Sequence, residues 1–154
     1  MLELQTETDI DAPVERVWQV LMDFDAYPEW NPFIRSIHGN PEVGSRLEVE
    51  IGASGTRPMR FRPTVMAVVP GREFRWLGHL GIRGLFDGEH IFELKSLNSR
   101  STRFVQRERF RGIFLPLLAR RLEKDVCQGF EEMNRALRER VTRPRENPGP
   151  TGKA

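Results

Sequence analysis

His90, Gln106 and Glu108 are the residues whose types and spacing in this chain could do chemistry. His90 falls at the even positions that also hold Phe86 and Phe92, and Gln106 and Glu108 at the even positions that hold Phe104 and Phe110. Period-two alternation therefore turns all three toward the apolar side of a sheet. An imidazole, an amide and a carboxylate converging in an apolar groove can fix a ligand's carbonyl or hydroxyl, or serve as general acid and base. In the enzymatic version Glu108 or His90 removes a proton next to a carbonyl, while Gln106 or a bound water steadies the developing oxyanion. The same three groups can equally form a satisfied network that only ties one strand to the next. The residues alone leave these readings open.

Side chains on one face of a sheet need elements that hold them there. Leu2, Leu4, Thr6 and Thr8 alternate with Glu3, Gln5 and Glu7, which predicts a first strand over 2–9. Asp11 is a candidate helix cap, Pro13 is tolerated in a first turn, and Val14, Val17, Trp18 and Leu21 recur at helical spacing, so a helix is expected over 13–22. The stretch DFDAYPEWNPFI, with two prolines and four aromatics, excludes a long helix and reads as an aromatic connector with at most one turn at Asp25–Pro28. From 33 to 111, short apolar alternations are broken at Gly39-Asn40-Pro41, Gly52–Gly55, Pro70-Gly71, Gly81–Gly84 and Asn98-Ser99, implying about six further strands in a meander. Leu115, Leu118, Leu122, Val126, Phe130, Met133, Leu137 and Val141 then step by three or four, one amphipathic helix over about 114–141. Residues 1–142 make a single domain on this reading, and the Pro- and Gly-rich residues 143–154 a disordered tail.

The last hairpin can be tested against its charges. If its loop centres on Asn98, Glu93 faces Arg103, Glu89 faces Arg107 and Asp87 faces Arg109, with Phe92 opposite Phe104, His90 opposite Gln106 and Phe86 opposite Phe110 on the inner face. The run Arg103, Arg107, Arg109, Arg111 then reads as a neutralised outer face and not as a nucleic-acid stripe. Arg60 and Arg62 alternate with Met59 and Phe61, and Pro63 can insert a bulge that reverses parity, so their face stays undecided: inward, they would ask for an acidic head group; outward, they are solvated. Cys127 reads as a small packed residue, and His38 and His79 have no assignable partner.

Composition narrows the classes. The 154 residues are 38% hydrophobic and 30% charged, which suits one domain with its own core. With one cysteine and no His-x-x-x-His spacing, neither a disulfide nor a metal is expected, and no cofactor is called for. The formal charge of +2 lies in residues 143–154, where Arg143, Arg145 and Lys153 outnumber Glu146, so residues 1–142 balance and no nucleic-acid partner is expected. The N-terminus has no basic or apolar targeting pattern and nowhere do 18 apolar residues run together, so the expected location is the cytoplasm, without a membrane span. The oligomeric state is left open.

The order strand, helix, connector, strands, long helix resembles the helix-grip superfamily of START lipid-transfer domains and Bet v 1-like proteins, in its bacterial polyketide cyclase/dehydrase-like branch. The resemblance is carried by Asp11-Ala12-Pro13 with Val17-Trp18, by DFDAYPEWNPF, by GEHIFEL at 88–94, and by Gln106-Arg107-Glu108 with Phe110 and Gly112. It implies an α+β fold, a curved seven-stranded antiparallel sheet wrapped around the C-terminal helix, with short helices after the first strand. It also implies a cavity between sheet and helix for a small hydrophobic or aromatic molecule. In similar proteins the connector sits by the open end of the groove, so Tyr27, Trp30, Asn31 and Phe33 are candidate gate residues; plugging the end of the core by the aromatics is the alternative. Trp76, Phe86, His90, Phe92, Gln106 and Glu108 from the sheet and Leu118 and Phe130 from the helix complete the expected ligand contacts. The superfamily holds carriers, cyclases and chaperone activators, so function has to be argued from the site.

Overall fold

The computed structural model describes residues 1–143; the expected tail, from residue 144 onward, lies outside the described residues. Among the described residues, eight strands and three α-helices follow one another: β1 (Leu2–Ile10), α1 (Val14–Met22), a 3-10 turn (Phe24–Ala26), α2 (Tyr27–Trp30), β2 (Ile34–His38), β3 (Glu48–Ile51), β4 (Met59–Phe61), β5 (Thr64–Val69), β6 (Glu73–His79), β7 (Asp87–Asn98), β8 (Ser101–Arg111) and α3 (Leu115–Thr142). The strands form a five-stranded antiparallel sheet ordered β1-β8-β7-β6-β5 and a three-stranded sheet ordered β2-β3-β4. The architecture is the expected α+β helix-grip arrangement, with α3 packed on a large antiparallel sheet.

Eight strands replace the expected seven because the segment around Arg62-Pro63 is divided. Pro63 has no N–H to give a ladder, and it separates β4 from β5. The sheets remain stitched at this point, since the Leu47 N–H donates to the Pro63 carbonyl and the Val65 N–H to the Ser45 carbonyl, both at 2.9 Å. Before the break, Arg60 pairs with Glu50 and Arg62 with Glu48, both arginines largely in solvent. The solvated reading of these two residues is the one the structure takes.

The hairpin register also differs from the expectation. His90 stands opposite Glu108, Phe92 opposite Gln106 and Leu94 opposite Phe104, two residues along from the predicted pairing. The turn is tighter than assumed: Asn98 faces Ser101 after an irregularity in β7, and the Asn98 side chain accepts from the Arg100 N–H at 2.8 Å. A slip of two keeps every side chain on its face, which is why the inner set is unchanged while each predicted ion pair is replaced. Arg103 now meets Asp9, Arg107 meets Glu93, and Arg109 bridges Glu3 and Glu89. Asp87 pairs with His79 at 2.6 Å instead of with an arginine.

The main core lies between the sheet and the C-terminal half of α3. Phe74, Phe92, Leu94 and Phe104 from the strands meet Phe130, Met133, Leu137 and Val141, the buried positions of a 3.6-residue period. Helix α1 adds Val17, Val20 and Leu21. Asp11 does not cap it; Pro13 stands at the cap position, and Thr102 secures the approach by donating to the Ala12 carbonyl at 2.8 Å. A smaller cluster of Leu4, Phe86, Phe110 and Leu115 lies under the N-terminal half of α3, with Leu122, Val126 and Cys127 packed against it. Burial and the nearby Glu123 and Glu131 push the Cys127 thiol up, consistent with a packed and unreactive cysteine.

Candidate functional site

Between these two clusters runs an open groove of about 400 Å³, within the range of small-molecule sites. Phe86, His90, Glu108 and Phe110 form its floor, Leu118, Leu122 and Val126 of α3 form one wall, and the β3–β4 loop from Gly52 to Met59 forms the other. A narrower extension of about 60 Å³ continues past Glu108 toward Trp76 and Gly78. Arg57, Arg121 and Asp125 stand on the lining as its charged members besides Glu108.

The floor is built by neighbouring positions on three strands. Trp76 of β6 and Glu108 of β8 flank His90 of β7 in the ladder, so the inner face carries Trp76, His90 and Glu108 in a row. The His90 ring stacks on Trp76 with centroids 4.8 Å apart, and meets the edges of Phe92 at 4.6 Å and Phe130 at 5.4 Å. Its Nδ1 lies 2.5 Å from Glu108 Oε2. The imidazole is buried, at 1% exposure, while the carboxylate keeps 12%. With Glu108 ionised and the imidazole neutral, the Nδ1 N–H of His90 donates to Oε2, and Nε2 is left as an acceptor. Nε2 is buried and has no partner among the described residues. Glu108 lies flat over the sheet because residue 88 is glycine: a Cβ there would stand 2.8 Å from Glu108 Oε1.

The predicted residues divide into four groups. Phe33, Phe86, His90, Glu108 and Leu118 line the groove, and Trp76 lines its extension. Phe92 and Phe130 support His90 from the core. Gln106 is turned away: its amide donates to Asn134 Oδ1 at 2.7 Å and to the Phe130 carbonyl at 3.3 Å, tying β8 to α3. It does not join His90 and Glu108 as a third polar group, because Phe92 and not His90 is its cross-strand partner.

Tyr27 and Trp30 belong to the core and not to the groove wall. Tyr27 is fully buried and its hydroxyl donates to the Leu21 carbonyl at 2.7 Å; burial, with the nearby Asp23 charge, pushes that phenol far above its ordinary range. Trp30 packs on Tyr27 with centroids 5.1 Å apart, and Glu29 beside it pairs with Arg140 of α3 at 2.7 Å. At Tyr27 and Trp30 the connector packs into the end of the core, while Phe33 reaches the groove. Buried Asn31 makes it a defined turn by accepting from the N–H groups of Phe33 and Ile34.

Sequence reasoning missed Asn134, Gly129 and the β3–β4 loop as a wall of the groove. Gly129 carried a signal, being a lone glycine inside a long helix, where it is unfavourable unless something approaches closely. Phe33 is what approaches: a Cβ on residue 129 would lie 2.1 Å from its ring.

The family described as polyketide cyclase/dehydrase and lipid transport matches residues 1–142. Among solved structures, a START superfamily protein from Mycobacterium smegmatis superposes with a TM-score of 0.72 at 22% identity, covering 90% of this chain and 96% of that one. The Zhui aromatase/cyclase from Streptomyces sp. R1128 gives a TM-score of 0.72 at 17% identity, over 91% and 93% of the two chains. The di-domain aromatase/cyclase BexL of the BE-7585A biosynthetic pathway gives 0.72 at 12% identity over 94% of this chain and 48% of that one. At these identities the likeness is one of fold. No curated protein matches the chain.

Proposed function

We propose that this chain, which belongs to the polyketide cyclase/dehydrase and lipid transport family, binds a small hydrophobic or aromatic molecule carrying a hydroxyl, in the groove beside α3. The observation that carries this reading is a hydrogen-bonded His90–Glu108 pair set between Phe86 and Phe110 on the floor of the groove. Apolar side chains supply affinity by leaving water, and the carboxylate on the floor orients the guest by accepting from its hydroxyl. Glu108 Oε1, free of the contact to His90, is the acceptor in this account.

The test uses 2-naphthol and naphthalene as probes in calorimetric titrations. For a guest of this size, about −0.5 kcal/mol per heavy atom gives a Kd on the order of 100 µM for 2-naphthol. Naphthalene is expected to bind roughly tenfold more weakly, the contribution of a hydrogen bond to a charged group. Val126→Trp, which fills the groove, is expected to abolish binding with the melting temperature retained. Undiminished binding in that variant contradicts the reading.

A second reading rests on the same pair. Glu108 could take a proton from a carbon beside a substrate carbonyl and return that proton to a departing hydroxyl, with the His90 N–H holding the carboxylate in place, so that water leaves and Glu108 regains its starting state. The aromatase/cyclase neighbours make this the enzymatic alternative. Glu108→Gln with turnover lost and 2-naphthol still bound supports it; unchanged turnover removes it.

A further inference from the structure

The mouth of the groove is surrounded by apolar side chains that the fold leaves in water. Ile82, Ile113 and Leu117 are 73%, 70% and 82% exposed, and Phe114 is also exposed beside them. Two segments bring them together: the N–H groups of Ile113 and Phe114 donate to the carbonyls of Gly84 at 3.3 Å and Leu85 at 3.2 Å. Glycine at 112 permits this approach, since its φ is +134° and a Cβ there would stand 2.3 Å from the Leu85 carbonyl oxygen. Leu80 and Leu118 continue the apolar surface into the groove itself.

Charge is distributed unevenly around this surface. Residues 52–59, 80–86 and 112–126, which border the mouth, hold Arg57, Arg120, Arg121 and Lys124 against Glu123 and Asp125, while Arg83 turns to the outer face of the sheet beside Asp87 and Glu89. The remainder of residues 1–142 holds 16 basic against 19 acidic side chains. The protein is thus polarised, positive at the mouth and negative elsewhere. Two copies meeting through this surface would bring like charge against like, which opposes a symmetric dimer. Exposed aliphatic and aromatic side chains ringed by arginine and lysine match the boundary between acyl chains and anionic head groups.

We propose that this end of the molecule docks on a bilayer containing anionic lipid. Ile82, Ile113, Phe114 and Leu117 enter the head-group boundary, the surrounding bases meet lipid phosphates, and the groove opens toward the membrane. The docking goes beyond the binding reading and is measured without any guest in the groove.

The experiment is flotation of the full chain with vesicles of phosphatidylcholine, alone or mixed with phosphatidylglycerol. The chain is expected to float with the mixed vesicles, to stay behind with phosphatidylcholine alone, and to be released by salt. Ile113→Ser combined with Leu117→Ser is expected to lower the bound fraction at least about tenfold, from the loss of two apolar insertions. These residues are off the groove lining, so the melting temperature and 2-naphthol binding of the variant should match the parent. Absence of flotation at low salt, equal flotation on both vesicles, or undiminished flotation of the variant would overturn the proposal. A dimer that the double substitution dissociates, in a chain that does not float, would also overturn it and assign the patch to contact between copies.

Discussion

Gly129→Ala is expected to destabilise the protein, by about 1–3 kcal/mol, although alanine is the better helix former. In an exposed helix the exchange would be favourable by about 1 kcal/mol. Here the added methyl falls 2.1 Å from the Phe33 ring, which packs edge-on against Phe130 with centroids 5.7 Å apart. Phe33 also lines the groove, so the space open to its displaced ring is the ligand's own. The melting temperature should fall by about 2–4 °C per kcal/mol, and 2-naphthol should bind more weakly in the same variant. Phe33→Ala alone costs about 3–5 kcal/mol, as large core truncations do. Combined with Gly129→Ala it should cost less than the sum, by about 2–4 kcal/mol, because the clash is gone and alanine's helix preference remains. Additive costs would mean that Phe33 does not sit against residue 129.

The second large effect concerns the polar pair on the groove floor. Glu108→Leu leaves Nδ1 of a buried imidazole without its acceptor and should cost about 1–3 kcal/mol. His90→Leu leaves a carboxylate that still reaches the groove, so its cost should lie at the lower end of that range. Replacing both with leucine should restore stability to near that of the parent or above it, since an apolar pair has no unmet hydrogen bonds. The same double variant should lose the preference for 2-naphthol over naphthalene. Recovery of stability together with loss of discrimination identifies a pair kept for recognition. A strongly destabilised double variant with discrimination intact would identify a structural network instead.

Much of this arrangement was legible in residue patterns, and the gaps have physical causes. The face occupied by His90, Gln106 and Glu108 followed from alternation, which survives any register slip of two. Their mutual contacts did not follow, because the pairing depends on a turn at Ser99-Arg100 that charge matching placed one step early. Thus Gln106 was grouped with His90 when it belongs to Asn134 and α3. The long helix was readable from its spacing, yet periodicity could not say that its first half stands over an open groove while its second half is in the core. The opposite wall is a loop, and loop side chains carry no period to read. Tyr27 shows the limit of composition: an aromatic with a polar tip suits a gate or a plug, and only the Leu21 carbonyl within reach of its hydroxyl selects the plug.

The central claim is that the guest's hydroxyl meets the His90–Glu108 pair while its rings meet α3. The most direct measurement is the NMR spectrum of the imidazole nitrogens of His90 and of the Leu118, Leu122 and Val126 methyls during titration with 2-naphthol. The account predicts saturable shifts of the His90 nitrogens, through the altered Glu108 contact, with magnetisation transfer from naphthol protons to those three methyl groups. Saturation with the His90 signals unmoved, or with transfer only to methyls elsewhere in the protein, would contradict it.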